Sequence, residues 1–176
     1  GSGRATSIAL AERGCAIALV DIDPKGLEES VALVRATGVD ASTHLADVAD
    51  KIRMQCLPEE VIAEHGHVHI LINNAGVSIA QKFEDQSIED IEWIVGINLW
   101  GVIYGCKYFL PYLKREDEGH IVNLSSMFGI AAVAGQGSYS ATKFAVRGLS
   151  EPLYAELSSA SIGGSSIPEG TIKTRI

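Results

Sequence analysis

Three short apolar runs, separated by segments of helical length, constrain the fold of this chain more than any other feature. The runs are Cys15–Val20, Val68–Ile72 and Ile121–Leu124, and each is almost continuously apolar. Such runs are typical of strands that are buried on both faces of a sheet. We predict two further short strands at Ala41–Leu45 and Ser166–Ile167.

Helices are predicted between these strands. Their bounds are 4–13, Pro24–Thr37, Asp50–Glu64 with a disruption near Pro58, Ser87–Ile103, Asn98–Lys114 and Ser138–Leu157. Strands that alternate with helices form a parallel sheet with right-handed crossovers and helices on both faces. The 176 residues are therefore predicted to form a single α/β domain.

The charge and the cysteines narrow the class of protein. The net charge is −8, which argues against nucleic acid as the main partner because phosphate binding needs a basic surface. A single nucleotide can still be held by backbone N–H groups at a helix start. The cysteines, Cys15, Cys56 and Cys106, lie far apart without a CxxC pair, so we expect no disulfide framework or zinc site.

The expected setting is the cytoplasm. A reducing compartment fits the isolated cysteines. No apolar run is judged long enough to span a membrane, and no signal peptide opens the chain. We therefore expect a cytoplasmic enzyme without a membrane partner.

A candidate nucleotide site begins at the first residues. Gly1-Ser2-Gly3 opens a helix, and glycines there let the backbone approach a pyrophosphate at the positive end of the helix. Asp21 ends a buried strand eighteen residues after Gly3, where a dinucleotide fold needs an acid for the ribose hydroxyls. The alternatives are that Gly1-Ser2 is a remnant of cloning and that Asp21 is an ordinary turn residue.

The same acid favours NAD over NADP. No Arg or Lys follows Asp21 until Lys25. The 2′-phosphate of NADP would therefore meet a carboxylate with no evident counter-charge, so NADP is the less favoured cofactor.

Tyr139 and Lys143 are the candidate centre of the chemistry. Residues i and i+4 share a helix face, so the phenol and the ammonium can point into one pocket. A free tyrosine titrates near pH ~10, and one that acts as a base near neutrality needs roughly 3–4 kcal/mol of electrostatic help. A lysine cation at about 4 Å supplies on the order of 4 kcal/mol at an effective dielectric constant near 20. A tyrosine and a lysine at this spacing are usually structural when no other candidate site residue accompanies them. Ser126, however, lies thirteen residues before Tyr139 at the end of a strand, which is where parallel sheets bind ligands.

Three segments carry a family pattern when they are taken together. They are Asn73-Asn74-Ala75-Gly76, Ile121–Ser126 and the Tyr139-x-x-x-Lys143 pair. Over essentially the whole chain, this set resembles the short-chain dehydrogenase/reductase family in its classical branch. The resemblance implies a Rossmann-like, doubly wound three-layer sandwich with a mostly parallel sheet, of seven strands in the complete domain.

The resemblance also implies an activity and a set of site residues. The expected reaction is hydride transfer between NAD(H) and the CH–OH or C=O group of a small-molecule alcohol or ketone. The alternatives are an NADP(H)-dependent ketone reductase and a non-catalytic nucleotide-binding module on the same fold. The expected catalytic residues are Asn98, Ser126, Tyr139 and Lys143, and the expected cofactor-binding residues are Gly1, Ser2, Gly3, Asp21, Asp47, Val48, Asn74, Ala75, Gly76, Tyr139, Lys143, Gly170, Ile172 and Thr174.

Each catalytic residue has a role in the family. Tyr139 is the expected acid/base, and Lys143 supports ionisation of its phenol and binds the nicotinamide ribose. Ser126 orients the substrate oxygen, and Asn98 completes a proton relay through water. The long helices around 98–114 and 139–157 imply a homo-oligomer, either a dimer or a tetramer.

The chain departs from the family pattern at both ends and at one internal position. Only the last part of the family's glycine-rich loop is present, so we expect the domain to lack its first strand. The sequence stops shortly after Thr174, so we also expect it to lack the family's C-terminal substrate-covering region. Glu169 stands where the family has proline directly before Gly170, which puts a carboxylate beside the nicotinamide pocket.

Two other features are interpreted as structural. His65, His67 and His69 alternate like metal ligands, but they lie at a helix end and a strand start, so no metal site is expected. Cys106 lies on an apolar helix and is expected to pack there rather than act as a nucleophile.

Overall fold

Helices and parallel strands alternate, as the sequence predicts, in the computed structural model, which describes residues 1–170. The helices are α1 Ser2–Ala11, α2 Pro24–Arg35, α3 Lys51–His65, α4 Ile88–Val95, α5 Gly101–Leu113 and α6 Gly137–Leu157. The strands are β1 Ile17–Asp21, β2 Ala41–Leu45, β3 Ile70–Asn73, β4 Gly119–Ser126 and β5 Ile162–Glu169. The Rossmann-like α/β class is thereby confirmed, while the number of strands in the complete domain stays a prediction.

The length of β5 and the course of α3 differ from the predictions for identifiable reasons. β5 has eight residues rather than two, because it pairs in parallel with β4 along its whole length. Its glycines and serines carry little strand signal, so the pairing decides its extent. α3 continues through Pro58 without the predicted disruption. Pro58 is almost fully buried, so its packing offsets the missing N–H hydrogen bond.

One continuous helical run replaces the two overlapping helices that were predicted over 87–114. It extends from Ile88 to Leu113 through a π-helical turn at Gly96–Trp100. With 26 residues and a mean hydropathy of 1.2 over 18 of them, it is long and apolar enough to cross a membrane by length and composition alone. The prediction that no apolar run reaches this length is therefore wrong. Val102 and Phe109 of this run lie in the core, so packing inside the domain also explains one apolar face.

The strands form two parallel groups that are not hydrogen-bonded to each other within residues 1–170. β1 pairs with β2, and β4 lies between β3 and β5. The other edges of β1 and β3 both line the space between the two groups, which is continuous with a cleft at the carboxyl ends of these strands. The cleft includes the carboxyl ends of these strands, which is where open α/β sheets bind ligands.

Two apolar cores contribute to the walls of this cleft. The larger core joins α3, α5, α6, β4 and β5, and its buried residues are Met54, Leu57, Val61, Val102, Cys106, Phe109, Leu113, Ile121, Val146, Leu157 and Ile162. The smaller core joins α1, β1 and α2 through Ala11, Ile17, Leu19, Leu27 and Val34. Ala18 and Val20 of β1 also pack against the larger core, so this core contacts both groups of strands.

A buried polar network fixes β3 and β4 to α5 and α6. Asn73 Nδ2 donates to Asn123 Oδ1 at 2.8 Å, and Asn123 Nδ2 donates to Ser150 Oγ at 2.9 Å. The Cys106 thiol donates to Asn123 Oδ1 at 3.6 Å. A Cβ atom on Gly105 would collide with the side chain of Asn73, so α5 can approach β3 this closely only with glycine there.

Candidate active site

Lys143 is held at both ends by the last residues of β4. Its side chain is 5% exposed, and Nζ donates to the carbonyl oxygen of Leu124 at 2.9 Å. Its own carbonyl oxygen accepts a hydrogen bond from Ser125 Oγ at 3.1 Å. Burial lowers the pKa of Lys143 to about 8, and the nearby carboxylate of Glu169 opposes this shift. The ammonium is thus fixed in place, and its pKa of about 8 lies close to neutral pH.

Tyr139 lies one helical turn before Lys143 on α6. The two share a helix face, with Lys143 Nζ 5.7 Å from the centre of the phenol ring. The edge of the Phe128 ring meets the Tyr139 ring at right angles, with 6.2 Å between the ring centres. Within residues 1–170 no group forms a hydrogen bond with the Tyr139 hydroxyl, and the residue lines the cleft. The hydroxyl is therefore available to a ligand.

Ser126 closes β4 and caps the turn that follows. Its side chain is 7% exposed, and Oγ accepts the backbone N–H of Phe128 at 3.1 Å. This bond uses a lone pair and leaves the O–H of Ser126 free to donate to a substrate oxygen. The predicted capping role and the predicted catalytic role are thus compatible, although Ser126 does not line the cleft directly.

Asn98 lies behind the cleft in the π-helical turn and is fully buried. Its Oδ1 accepts the N–H of Val77 at 2.8 Å, and its Nδ2 donates to the carbonyl oxygen of Val77 at 2.8 Å. Nδ2 also donates to Thr142 Oγ1 at 3.3 Å, and Thr142 Oγ1 donates to the carbonyl oxygen of Tyr139 at 2.7 Å. The amide therefore joins the loop after β3 to the helix of Tyr139. A relay through this amide would require one of these bonds to break, so the relay stays a prediction.

The predicted cofactor residues come together along one cleft. Those that line it are Gly1, Ser2, Gly3, Asp21, Asp47, Val48, Asn74, Ala75, Gly76, Tyr139 and Lys143. Gly170 is exposed and does not line the cleft, and Ile172 and Thr174 lie outside the described residues. Side chains from five separated segments thus meet at one surface, although they are far apart in the sequence.

The glycine segment lies directly against the turn after β3. Ser2 Oγ donates to Asn74 Oδ1 at 3.0 Å. A Cβ atom on Gly3 would lie 2.8 Å from Asn74 Nδ2, which is closer than real contacts allow. The first turn of α1 and the Asn74 turn therefore form a single wall, and the first N–H groups of α1 lie at this wall.

Asp21 has one carboxylate oxygen in use. Oδ1 accepts the N–H of Asp23 at 3.0 Å, and no donor within residues 1–170 binds the other oxygen. Asp47 is similar, since its Oδ1 accepts the N–H of Ala49 at 2.9 Å. Each acid keeps an acceptor that a ribose or base can use.

Two charged residues need comment, and sequence reasoning missed the position of the first of them. Arg4 follows the glycine segment, but its guanidinium binds Ser30 Oγ at 2.8 Å and Glu29 Oε2 at 3.0 Å on α2. Glu169, which the sequence led us to expect beside the nicotinamide pocket, lines the cleft together with Tyr139 and Lys143. No sequence signal placed Arg4 on α2, because its partners lie more than twenty residues away.

The histidines and Cys106 are engaged in packing. Ser42 Oγ is hydrogen-bonded to Nε2 of His44 at 2.8 Å and to Nε2 of His65 at 2.7 Å. The rings of His67 and His69 meet edge to face. Burial raises the pKa of the Cys106 thiol, which disfavours the thiolate that a nucleophile needs. In the described part of the chain, no three metal-binding side chains converge.

Comparisons with known proteins identify the family of this chain. A sequence model described as short chain dehydrogenase matches residues 1–176. SadH of Mycobacterium tuberculosis, a protein named as an oxidoreductase, is 41% identical over 157 residues, which are 89% of this chain and 57% of SadH. The chain therefore belongs to the short-chain dehydrogenase family, and it spans little more than half the length of this relative.

Solved structures of the family contain both nicotinamide cofactors. A short-chain dehydrogenase/reductase from Burkholderia phymatum, in complex with NAD, matches with a TM-score of 0.91 and 31% identity, covering 98% of this chain and 64% of that one. A metagenomic short-chain oxidoreductase in complex with NADP matches with a TM-score of 0.92 and 26% identity, covering 97% of this chain and 78% of that one. The family thus uses NAD and NADP on this fold.

The buried ammonium predicts a pH dependence of stability. The pKa of Lys143 falls from 10.5 to about 8 in the folded protein, so between these values the unfolded chain holds a proton that the folded chain has lost. The stability of the native protein should therefore rise with pH in this window, and the cost of burying the charge is fully present below pH 8. Relative to Lys143→Met, the free energy of unfolding should rise by up to about 3 kcal/mol between pH 7.5 and 10.5.

Urea denaturation of both proteins across this range measures the difference. Lys143→Met also removes the hydrogen bond to the Leu124 carbonyl oxygen, but that loss changes the free energy of unfolding by the same amount at every pH. A difference that stays flat or decreases with rising pH would show that the lysine is not held as described.

Proposed function

We propose that the chain is the nucleotide-binding part of an oxidoreductase that transfers a hydride between NAD(H) and an alcohol or ketone. One observation carries the proposal: Tyr139 and Lys143 line the same cleft as Gly1–Gly3 and Asp21. A proton-transfer group and a dinucleotide-binding surface are thereby brought together. Because the chain spans 57% of SadH, the activity of the whole protein is part of the proposal.

The residues of the cleft fit a dinucleotide. The first N–H groups of α1 suit a pyrophosphate, and the free oxygen of Asp21 suits the hydroxyls of the adenosine ribose. Asp47 and Val48 would hold the adenine, and Lys143 the second ribose. NAD, when bound, supplies the nicotinamide ring that accepts or donates the hydride.

The chain's own residues would move and hold the proton. Tyr139 takes the proton from the substrate hydroxyl during oxidation and returns it to the carbonyl oxygen during reduction. The free O–H of Ser126 donates to the same oxygen and orients it. Lys143 stabilises the phenolate form of Tyr139, and with a pKa of about 8 it is mostly charged at neutral pH.

We expect NAD to be preferred over NADP. If Asp21 binds the adenosine ribose as proposed, its carboxylate would lie beside the 2′-phosphate of NADP, and like charges there cost binding energy. Arg4, which follows the glycine segment, does not offset this charge, because its guanidinium is already paired with Glu29. Since a family member binds NADP, the preference rests on Asp21 rather than on the fold.

A second copy of the chain is the proposed partner of the outer helix face. Trp93 and Trp100 are about half exposed. Trp100 stacks on Tyr104, and Tyr104 stacks on Tyr108, so a continuous aromatic strip runs along α5. A homo-oligomer would bury this strip. A cytoplasmic location is proposed from the isolated cysteines alone.

Replacing Tyr139 tests the chemical proposal. Tyr139→Phe keeps the ring packed against Phe128 but removes the proton, so turnover of secondary alcohols should fall about 10²–10⁴-fold while NAD binding changes little. Turnover is measured as NADH absorbance, and binding by calorimetry, in the full-length protein. Tyr112→Phe is the matched control, since Tyr112 lies on α5 and does not line the cleft.

Two outcomes would contradict this proposal. If Tyr139→Phe retained full turnover, another group would be the acid/base. If the native protein bound NAD but turned over none of a broad panel of alcohols and ketones, the non-catalytic nucleotide-binding alternative would be favoured.

Replacing Asp21 tests the cofactor preference separately. Asp21→Ala removes the ribose acceptor and the charge that repels a 2′-phosphate, so the ratio of the NADP and NAD dissociation constants should fall about tenfold or more. Calorimetry with both cofactors measures it. Asp117→Ala, an exposed acid before β4, should leave the ratio unchanged. A native protein that already prefers NADP would overturn the assignment.

A further inference from the structure

Glu169 places a carboxylate at the Tyr139–Lys143 end of the cleft. It is the last residue of β5 and is the register partner of Ser126 on β4. Register partners on neighbouring parallel strands direct their side chains to the same face of the sheet. Glu169 is half-buried and lines the cleft together with Tyr139 and Lys143. The carboxylate thus belongs to the part of the cleft where proton transfer would occur.

This carboxylate acts electrostatically on its surroundings. The charge of Glu169 raises the pKa of Lys143 against the effect of burial, so the two groups interact through the protein. Among the described residues, however, none forms an ion pair with Glu169 within 4.0 Å. No direct salt bridge with a described residue therefore neutralises the Glu169 carboxylate, and its negative electrostatic potential extends into the cleft.

The chemistry dictates which part of the cofactor this field meets. Hydride transfer requires the nicotinamide ring to lie against the substrate carbon whose oxygen exchanges a proton with Tyr139. The ring must then occupy the same end of the cleft as Glu169. The nicotinamide of NAD⁺ carries a positive charge, whereas the dihydronicotinamide of NADH is neutral. A carboxylate at this end distinguishes the two redox forms by charge.

We propose that Glu169 is a specificity-determining residue that makes the site favour NAD⁺ over NADH. The inference rests on the proposed function, because it requires the nicotinamide to bind beside Tyr139. The family resemblance implies proline directly before Gly170, where this chain has Glu169, so the preference would be a property of this chain rather than of the fold. Bound substrates would be shifted towards the alcohol, since stabilising NAD⁺ disfavours the ketone and NADH that form from it.

Binding measurements test the proposal without relying on turnover. The dissociation constants of NAD⁺ and NADH are measured by calorimetry at pH 7 for the native protein and for Glu169→Gln, which keeps the shape and removes the charge. One unit charge at a distance of several ångströms in a partly exposed site changes such a ratio by about three- to tenfold. The ratio of the NADH constant to the NAD⁺ constant should therefore fall by about three- to tenfold in Glu169→Gln.

Three further single variants and one double variant complete the design. Glu169→Asp should retain most of the preference, because the charge remains. Glu156 is an exposed acid on α6, and Glu156→Gln should leave the ratio unchanged. Glu169→Pro, which carries the family's residue, should lose the preference as Glu169→Gln does. In a Lys143→Met background, Glu169→Gln should still lower the ratio if the carboxylate acts on the nicotinamide directly.

The outcomes separate this inference from the proposed function. If both redox forms bind but the ratio is the same in Glu169→Gln and Glu169→Pro, the inference is wrong and the proposed function stands. A change that disappears in the Lys143→Met background would also overturn it, because the effect would then act only through Lys143. If neither form binds to the native protein, the proposed function fails, and the inference with it.

Discussion

The junction between α6 and the carboxyl end of β4 is the contact on which the candidate site depends. Leu124 and Ser125 hold both the ammonium and the backbone carbonyl of Lys143, so the helix cannot rotate without breaking these bonds. A Cβ atom on Gly129 would lie 2.8 Å from the carbonyl oxygen of Lys143, so the turn after β4 is pressed against the same point. Because Tyr139 lies one turn earlier on this rigid helix, its position is fixed as well.

A second set of contacts fixes the opposite side of the site. Asn98 binds both backbone groups of Val77 and reaches Thr142, so the loop after β3 and the helix of Tyr139 share one anchor. The π-helical turn makes this arrangement possible, because it adds a residue to the helix at the point where the amide must turn inward. The proposed reaction thus uses groups whose positions are set by buried hydrogen bonds rather than by mobile side chains.

Sequence reasoning identified the local features and missed the long-range ones. The spacing of Tyr139 and Lys143 predicted one helix face, and the buried apolar runs predicted the parallel strands, because both signals are periodic and local. The length of β5 could not be predicted, since its glycines and serines form a strand only by pairing with β4. The engagement of Arg4 by α2 likewise depends on segments far apart in the chain.

The central claim is that this cleft brings a nicotinamide into hydride-transfer contact with an alcohol whose proton Tyr139 removes. Its most direct test uses the full-length protein, NAD⁺ and a secondary alcohol that carries deuterium on its carbinol carbon. Mass spectrometry and proton NMR of the reduced cofactor then locate the label. One deuterium is expected on C4 of the dihydronicotinamide ring for each NADH that forms. Reduced cofactor without deuterium would contradict direct hydride transfer in this cleft.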